Sequence, residues 1–361
     1  MMLTLSRCIA RLSLRTGRSG VALERSVLQP LSTSLSNTQF EAALSAAEDT
    51  DASAEERAEM LMEIAMGMQA RPKSPQQLSD AVSLYERARD MAPPEATLLK
   101  ARIVARMGTA LQALPDGSAA SLERALQCFQ CAIETLQVQG KPEEVAEAEL
   151  NQGLVMQALT GLGRGRITDA ISAYHRSLRT FNREAFPQEY AVLHNNLAIA
   201  YLSMPATDET GRMREALAVQ SFEEVLKVIN LIDHPSEYAM INNNLGNALQ
   251  YASSGHVLEN NLRALAAYAE ALRVRNPRDT PLEYANTIAN KANVLRGLQP
   301  DPAKTASRDS ATTDPLNDAL SLVREAQALF DHHGDSHKAA LMSDTASEIE
   351  AELAQRRQRS N

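Results

Sequence analysis

Three stretches of the chain carry residue types that could do chemistry. Cys128-Phe-Gln-Cys131 has the spacing of a redox or zinc pair. A tetrahedral zinc site needs four ligands, and the sequence holds three cysteines and no second pair. The tract lies in a helical pattern that puts both thiols on one face, so they read as core cysteines beside Phe129. Asp331-His332-His333-Gly334-Asp335-Ser336-His337 is dense in metal-ligand types. It falls at a turn before the last helical stretch, where solvated loop residues are the simpler reading. Gly161-Leu-Gly163-Arg-Gly165-Arg166 has the look of a phosphate loop, but lacks the Lys-Ser/Thr ending and a preceding strand. No Ser-His-Asp set is present. The expectation is no catalytic residue, no metal, no cofactor and no enzyme.

Composition points the same way. Aromatic residues make up 4% and Trp is absent, which argues against a deep catalytic pocket or a base-stacking surface. A net charge of −9 and a pI of about 5.4 argue against tracking a phosphate backbone, so no nucleic acid is expected. No run approaches 18 consecutive apolar residues, so no membrane-spanning helix is expected. Three cysteines do not make a disulfide framework. What remains among 361 residues, 44% of them hydrophobic, is a helix-rich chain with ample core material.

Residues 1–40 differ from the rest. They hold five arginines and one acid, a balance of +4, leaving −13 for residues 41–361. Arg7, Arg11, Arg15 and Arg18 fall on one helical stripe, with Leu5, Ile9, Leu12 and Leu14 on the other side. The tract ends in Ser32, Thr33, Ser34, Ser36 and Thr38. Arg-rich, Ser-rich, acid-poor and amphipathic is the profile of a mitochondrial transit peptide, so the matrix is the expected location. A disordered basic tail on a cytoplasmic protein is the alternative.

The elements that must position any site are repeats. Pro187-Gln-Glu-Tyr190-Ala191, Pro235-Ser-Glu-Tyr238-Ala239 and Pro281-Leu-Glu-Tyr284-Ala285 align on sight. Each runs into an Asn-bearing stretch around Asn195-Asn196, Asn242-Asn243-Asn244 or Asn290. A second pattern follows each: Ala, an aromatic four on, a small residue three further. Its copies are Ala81/Tyr85/Ala88, Ala125/Phe129/Ala132, Ala170/Tyr174/Ser177, Ala218/Phe222/Val225 and Ala264/Tyr268/Ala271. Ala319/Val323/Ala326 lacks the aromatic. This predicts helical hairpins at about 53–92, 95–139, 142–182, 187–231, 235–276 and 281–331. Prolines start the first helices, and Gly117, Gly163, Gly165, Gly211 and Gly255 mark the loops inside the hairpins. Ser53-Ala-Glu-Glu56 is a capping box. A polar loop spans 300–314, and 335–361 reads as a capping helix and tail. One hairpin cannot bury its face alone, so copies must stack.

These residues resemble the tetratricopeptide repeat (TPR) in a long-period variety, similar to bacterial CHAT-associated and kinesin light chain repeats. The resemblance rests on the small residue of the first helix, the Ala-aromatic-Ala set of the second and the Asn-Asn-Leu-Gly run. It covers 95–331 well and 53–92 poorly. It implies an all-α, right-handed superhelical solenoid over 41–334 of about six helix-turn-helix repeats. It also implies a concave groove lined by the first helix of each repeat, at six and three residues before the small residue and one and four after it.

Those positions yield a candidate partner-binding groove of Arg102, Gln112, Gln157, Asn195, Asn243, Asn247, Gln250, Asn286, Asn293 and Arg296. Asparagine offers a donor and an acceptor together, which suits clamping a peptide backbone. Leu154, Val192, Ile199, Leu202 and Met240 add apolar surface suited to a helix or extended segment. Asn151, Asn196, Asn244 and Asn290, one residue off, are expected to bond between hairpins instead. The expected function is a non-catalytic scaffold, adaptor or assembly factor that holds a protein partner. A permanent subunit of a larger complex is the first alternative, and an RNA-binding helical repeat a weaker one.

Overall fold

The structure, a computed structural model, describes residues 45, 52–70, 72–204, 209–252, 256–298 and 314–360. The basic tract 1–40, Gly255 and the polar loop up to residue 313 lie outside these residues. All regular structure among the described residues is helical.

The helices begin and end where local chemistry requires. α1 (Ala54–Ala70) opens on the reciprocal Ser53–Glu56 bonds, which satisfy two otherwise unpaired amides and hold the Glu56 carboxyl below its usual range. α2 (Pro75–Met91) and α5 (Pro142–Gly161) place proline in the first turn, where a missing N–H costs nothing. So do α9 (Pro235–Tyr251), α11 (Pro281–Gly297) and α12 (Pro315–His332). α3 (Thr97–Ala113), α4 (Ala119–Gln139), α6 (Ile167–Ser177), α7 (Pro187–Leu202), α8 (Glu209–Leu226), α10 (Val257–Leu272) and α13 (Ser336–Ser360) complete the order. Gly117, Gly163 and Gly165 adopt positive φ in the turns inside their hairpins. Gly211 does not mark a loop. It lies in the first turn of α8.

The turns between successive hairpins share an asparagine device. Asn182, Asn230 and Asn276 each stand five residues before the proline that opens the next helix. Each side-chain oxygen accepts two backbone N–H bonds, from residues two and three further on, at 2.8–3.1 Å. Each backbone carbonyl accepts a third from the residue just before the proline. The side chain thus mimics a turn of backbone and aims the chain at the proline.

The chain divides into two compact units, Met1–Ala200 and Tyr201–Asn361. In the first, α1 through α6 pack in sequence, and the first helices of successive hairpins, α1, α3 and α5, also touch. In the second, α8 through α13 pack in sequence and α9 touches α11. Buried Leu61, Tyr85, Ile103, Phe129 and Leu136 anchor the core of the first unit. Ile288, Val323, Phe330 and Ile349 anchor the end of the second, where α13 covers α12.

Candidate functional site

In the second, third and fifth hairpins the second helix presses an aromatic ring onto a glycine of the first. A Cβ added at Gly153 would lie 2.5 Å from Cε1 of Tyr174, and one at Gly246 2.5 Å from Cε1 of Tyr268. No side chain fits there, which is why the position is small. The same rings are tethered at their tips. Tyr85 donates to Gln69 at 2.9 Å, Tyr174 to Gln157 at 2.7 Å, and Tyr268 to Asn247 at 2.7 Å and Gln250 at 3.1 Å. Burial pushes the Tyr85 and Tyr268 hydroxyls far above their ordinary pKa, so they remain donors at any ordinary pH.

This tether changes the reading of the amide stripe. Gln157 and Gln250 hold tyrosines, so their oxygens are committed inside the hairpin. Gln112 has the equivalent place in its repeat, but its aromatic is Phe129, which has no hydroxyl to offer. The paired signal was present in the sequence: glutamine four residues past the small residue accompanies tyrosine in Gln69/Tyr85, Gln157/Tyr174 and Gln250/Tyr268.

Both arginines among the groove candidates are also committed. Arg102 forms a two-bond pair with Glu144, at 2.7 and 3.3 Å, and Arg106 does the same with Glu147. These pairs staple α3 to α5, and the Arg102 guanidinium holds the Glu144 carboxyl below its usual range. The cleft over Arg102, Thr109 and Asn151 measures about 40 Å³, room for a water rather than a peptide. Arg296 binds Glu348 at 2.8 Å and also Glu352, which ties α11 to the cap. Asn286 donates to the Leu282 carbonyl of its own helix. Asn195 is fully buried, and neither polar atom of its side chain has a partner among the described residues. It therefore cannot meet a ligand at an open surface. Asn243, nearly buried, accepts a long 3.4 Å bond from Asn290. That bond joins two hairpins, as expected of Asn290, whereas Asn151 bonds the Glu147 carbonyl within α5. Of the ten candidates, Asn293 is exposed.

Two of the positions do meet at an opening. Leu202, from the end of α7, and Asn247, from α9, line a cleft of about 360 Å³ with Tyr201, Met204, Gly211, Glu215 and Tyr251. It lies where the first helices end and α8 begins, in the second unit. Leu202 is 39% and Tyr251 68% exposed. Asn247 gives its oxygen to Tyr268 and keeps its amide nitrogen as a donor.

The helical pairs, the small residue beneath an aromatic and the stacked first helices decide the architecture. This is an all-α fold of repeated helical hairpins. No family model and no curated relative matches the sequence. Solved structures do. BtubC (BKLC) from P. vanneervenii matches with a TM-score of 0.46 and 17% identity, over 86% of this chain and 100% of that one. The yeast Sti1 TPR2AB domain, solved with pHSP90, matches with a TM-score of 0.27 and 15% identity, over 81% and 98%. A Rap protein complexed with competence and sporulation factor matches with a TM-score of 0.31 and 11% identity, over 90% and 99%. With every TM-score below 0.5, the fold rests on the geometry of the hairpins themselves.

The cysteine pair separates. Cys128 is buried and its thiol is pushed up to about 11 by burial, whereas Cys131 is exposed. Only the first is a core cysteine. Among the described residues, no three His, Cys, Asp or Glu side chains are arranged to hold a metal ion. His332 and His333 instead stack edge to face, 4.9 Å apart.

Proposed function

We propose that this chain is a non-catalytic protein-binding repeat, and that the cleft at the loop end of its second unit receives a segment of another protein. One observation supports this above the others. Tyr201, Leu202, Met204 and Tyr251 surround an open cleft large enough for an apolar anchor residue, beside an amide donor at Asn247. Interface anchors are characteristically aromatic or aliphatic groups seated in such pockets. Gln157, Gln250, Arg102 and Arg296 are spent on holding helices together. The recognition surface therefore shifts from the middle of the first helices to their ends.

The test is affinity capture of tagged full-length protein from its own cells, quantified by mass spectrometry. A Leu202→Asp, Tyr251→Asp variant is compared with wild type and with Gln112→Ala. Both cleft positions are exposed, so a melting curve should confirm an intact fold. A specific partner should fall at least about tenfold with the cleft variant and persist with Gln112→Ala. Capture of the same proteins by all three would sink the proposal.

A further inference from the structure

The outer face of α10 is unlike that of any other second helix. Its inner side is buried through Asn260, Ala264, Ala267, Tyr268 and Ala271. Opposite these lie Leu258, Leu262, Ala266, Ala269 and Arg273, spaced 4, 4, 3 and 4 residues, which is one helical stripe. Leu258 is 64% and Leu262 54% exposed, and both alanines are exposed. Aligning the repeats on Ala264 shows what the fold itself asks for there. The positions of Leu262, Ala266 and Ala269 hold Glu123, Gln127 and Gln130 on α4, and Thr168, Ser172 and His175 on α6. At the places of Ala266 and Ala269, all five other second helices carry polar residues. An outer wall that is polar elsewhere is apolar here, so packing within the repeat does not account for it.

The stripe is complementary to itself. Ala266 divides it. Leu262 lies four residues before and Ala269 three after, so two antiparallel copies centred on Ala266 set each leucine over the alanine of the other. Large against small is how closely packed helices interdigitate. Charge obeys the same centre. Glu259 lies seven residues before Ala266 and Arg273 seven after, which is about 10 Å along the axis on either side. Both are on the same flank and largely exposed: Glu259 stands 4.0 Å from His256 and Arg273 bonds Glu270 at 2.8 Å. In the antiparallel pair each Glu259 meets Arg273 of the second copy, twice over. Paired size and charge about one point is the signature of a two-fold interface, in which residue i meets j and j meets i.

We infer that the outer face of α10 is a homodimer interface, with two copies of this chain packed antiparallel about Ala266. It is a different surface from the cleft proposed above, so neither depends on the other.

Sedimentation and light scattering of the full chain should give twice the 39.3 kDa monomer mass. Leu262→Glu should raise the dimer dissociation constant at least about tenfold with an unchanged melting curve. Glu259→Arg and Arg273→Glu should each weaken the dimer, and the two together should restore it. Two helices packed at about 8 Å bring Ala266 near its own copy, within reach of a disulfide. Ala266→Cys should therefore cross-link under mild oxidation, while Leu258→Cys, eight residues from the centre, and wild type should not. A monomer at all concentrations overturns the inference. So does a dimer indifferent to Leu262→Glu, equal cross-linking by both cysteine variants, or a monomer that uses this face for another protein.

Discussion

The third hairpin, α5 with α6, and the fifth, α9 with α10, are built alike inside and differently outside. Both set a tyrosine ring on a glycine: Tyr174 on Gly153, Tyr268 on Gly246. Both tether the hydroxyl to a glutamine on the partner helix. Yet the outer face of α6 presents Thr168, Ser172 and His175, and that of α10 presents Leu262, Ala266 and Ala269. The fold is specified by residues pointing into the hairpin. The outer face is not constrained by the fold, so a departure there from the repeat's own pattern reports on contact with something else.

The largest effect expected from this comparison is steric. Gly246→Ala must drive a methyl into the Tyr268 ring and should cost about 1–3 kcal/mol of stability in denaturant unfolding. The same substitution at Gly67, within α1 with nothing within 4 Å of its added Cβ, should instead stabilise by about 0.5–1 kcal/mol through helix propensity. Equal effects at the two sites would mean that the ring contact does not constrain the repeat.

The tether comes next. Tyr268→Phe should cost about 1 kcal/mol by leaving Asn247 and Gln250 without their donor. Phe129→Tyr supplies a hydroxyl where Gln112 waits in the second hairpin, and should raise stability by up to about 1 kcal/mol. If Phe129→Tyr destabilises instead, the repeats do not share one internal geometry.

The smallest effect belongs to the outer ion pairs. Arg124–Glu86 at 2.6 Å and Arg263–Glu223 at 2.5 Å occupy equivalent repeat positions, one in each unit. All four groups are substantially exposed, so Arg124→Gln and Arg263→Gln should each change stability by less than about 1 kcal/mol, and less still in high salt. A larger loss at Arg263 alone would show that the wall beside α10 is under a load that its counterpart is not.

Much of this was readable beforehand for a physical reason. A periodic spacing of small and aromatic residues survives only where backbones touch, so Gly153 with Tyr174 and Gly246 with Tyr268 located the hairpins directly. Prolines 142, 187, 235 and 281 located helix starts because their fixed φ suits a first turn. The site was far less legible. Helical spacing says that Arg102, Gln157, Gln250 and Arg296 share a face with a groove, but not who reaches them first. Glu144 lies 42 residues from Arg102, and Glu348 lies 52 from Arg296. Those distances close only when hairpins stack.

The sequence by itself determined the class of architecture and the residues buried between paired helices, because those contacts are local and recur with the period. Only the tertiary structure decided which polar groups are spent within the stack and which surfaces stay open. Ion pairing, burial and exposure depend on neighbours brought together across the repeats, and no spacing within one helix encodes them. Asn195 and Asn247 fall on the same face of the repeat one helical turn apart, yet the first is sealed and the second lines a cleft.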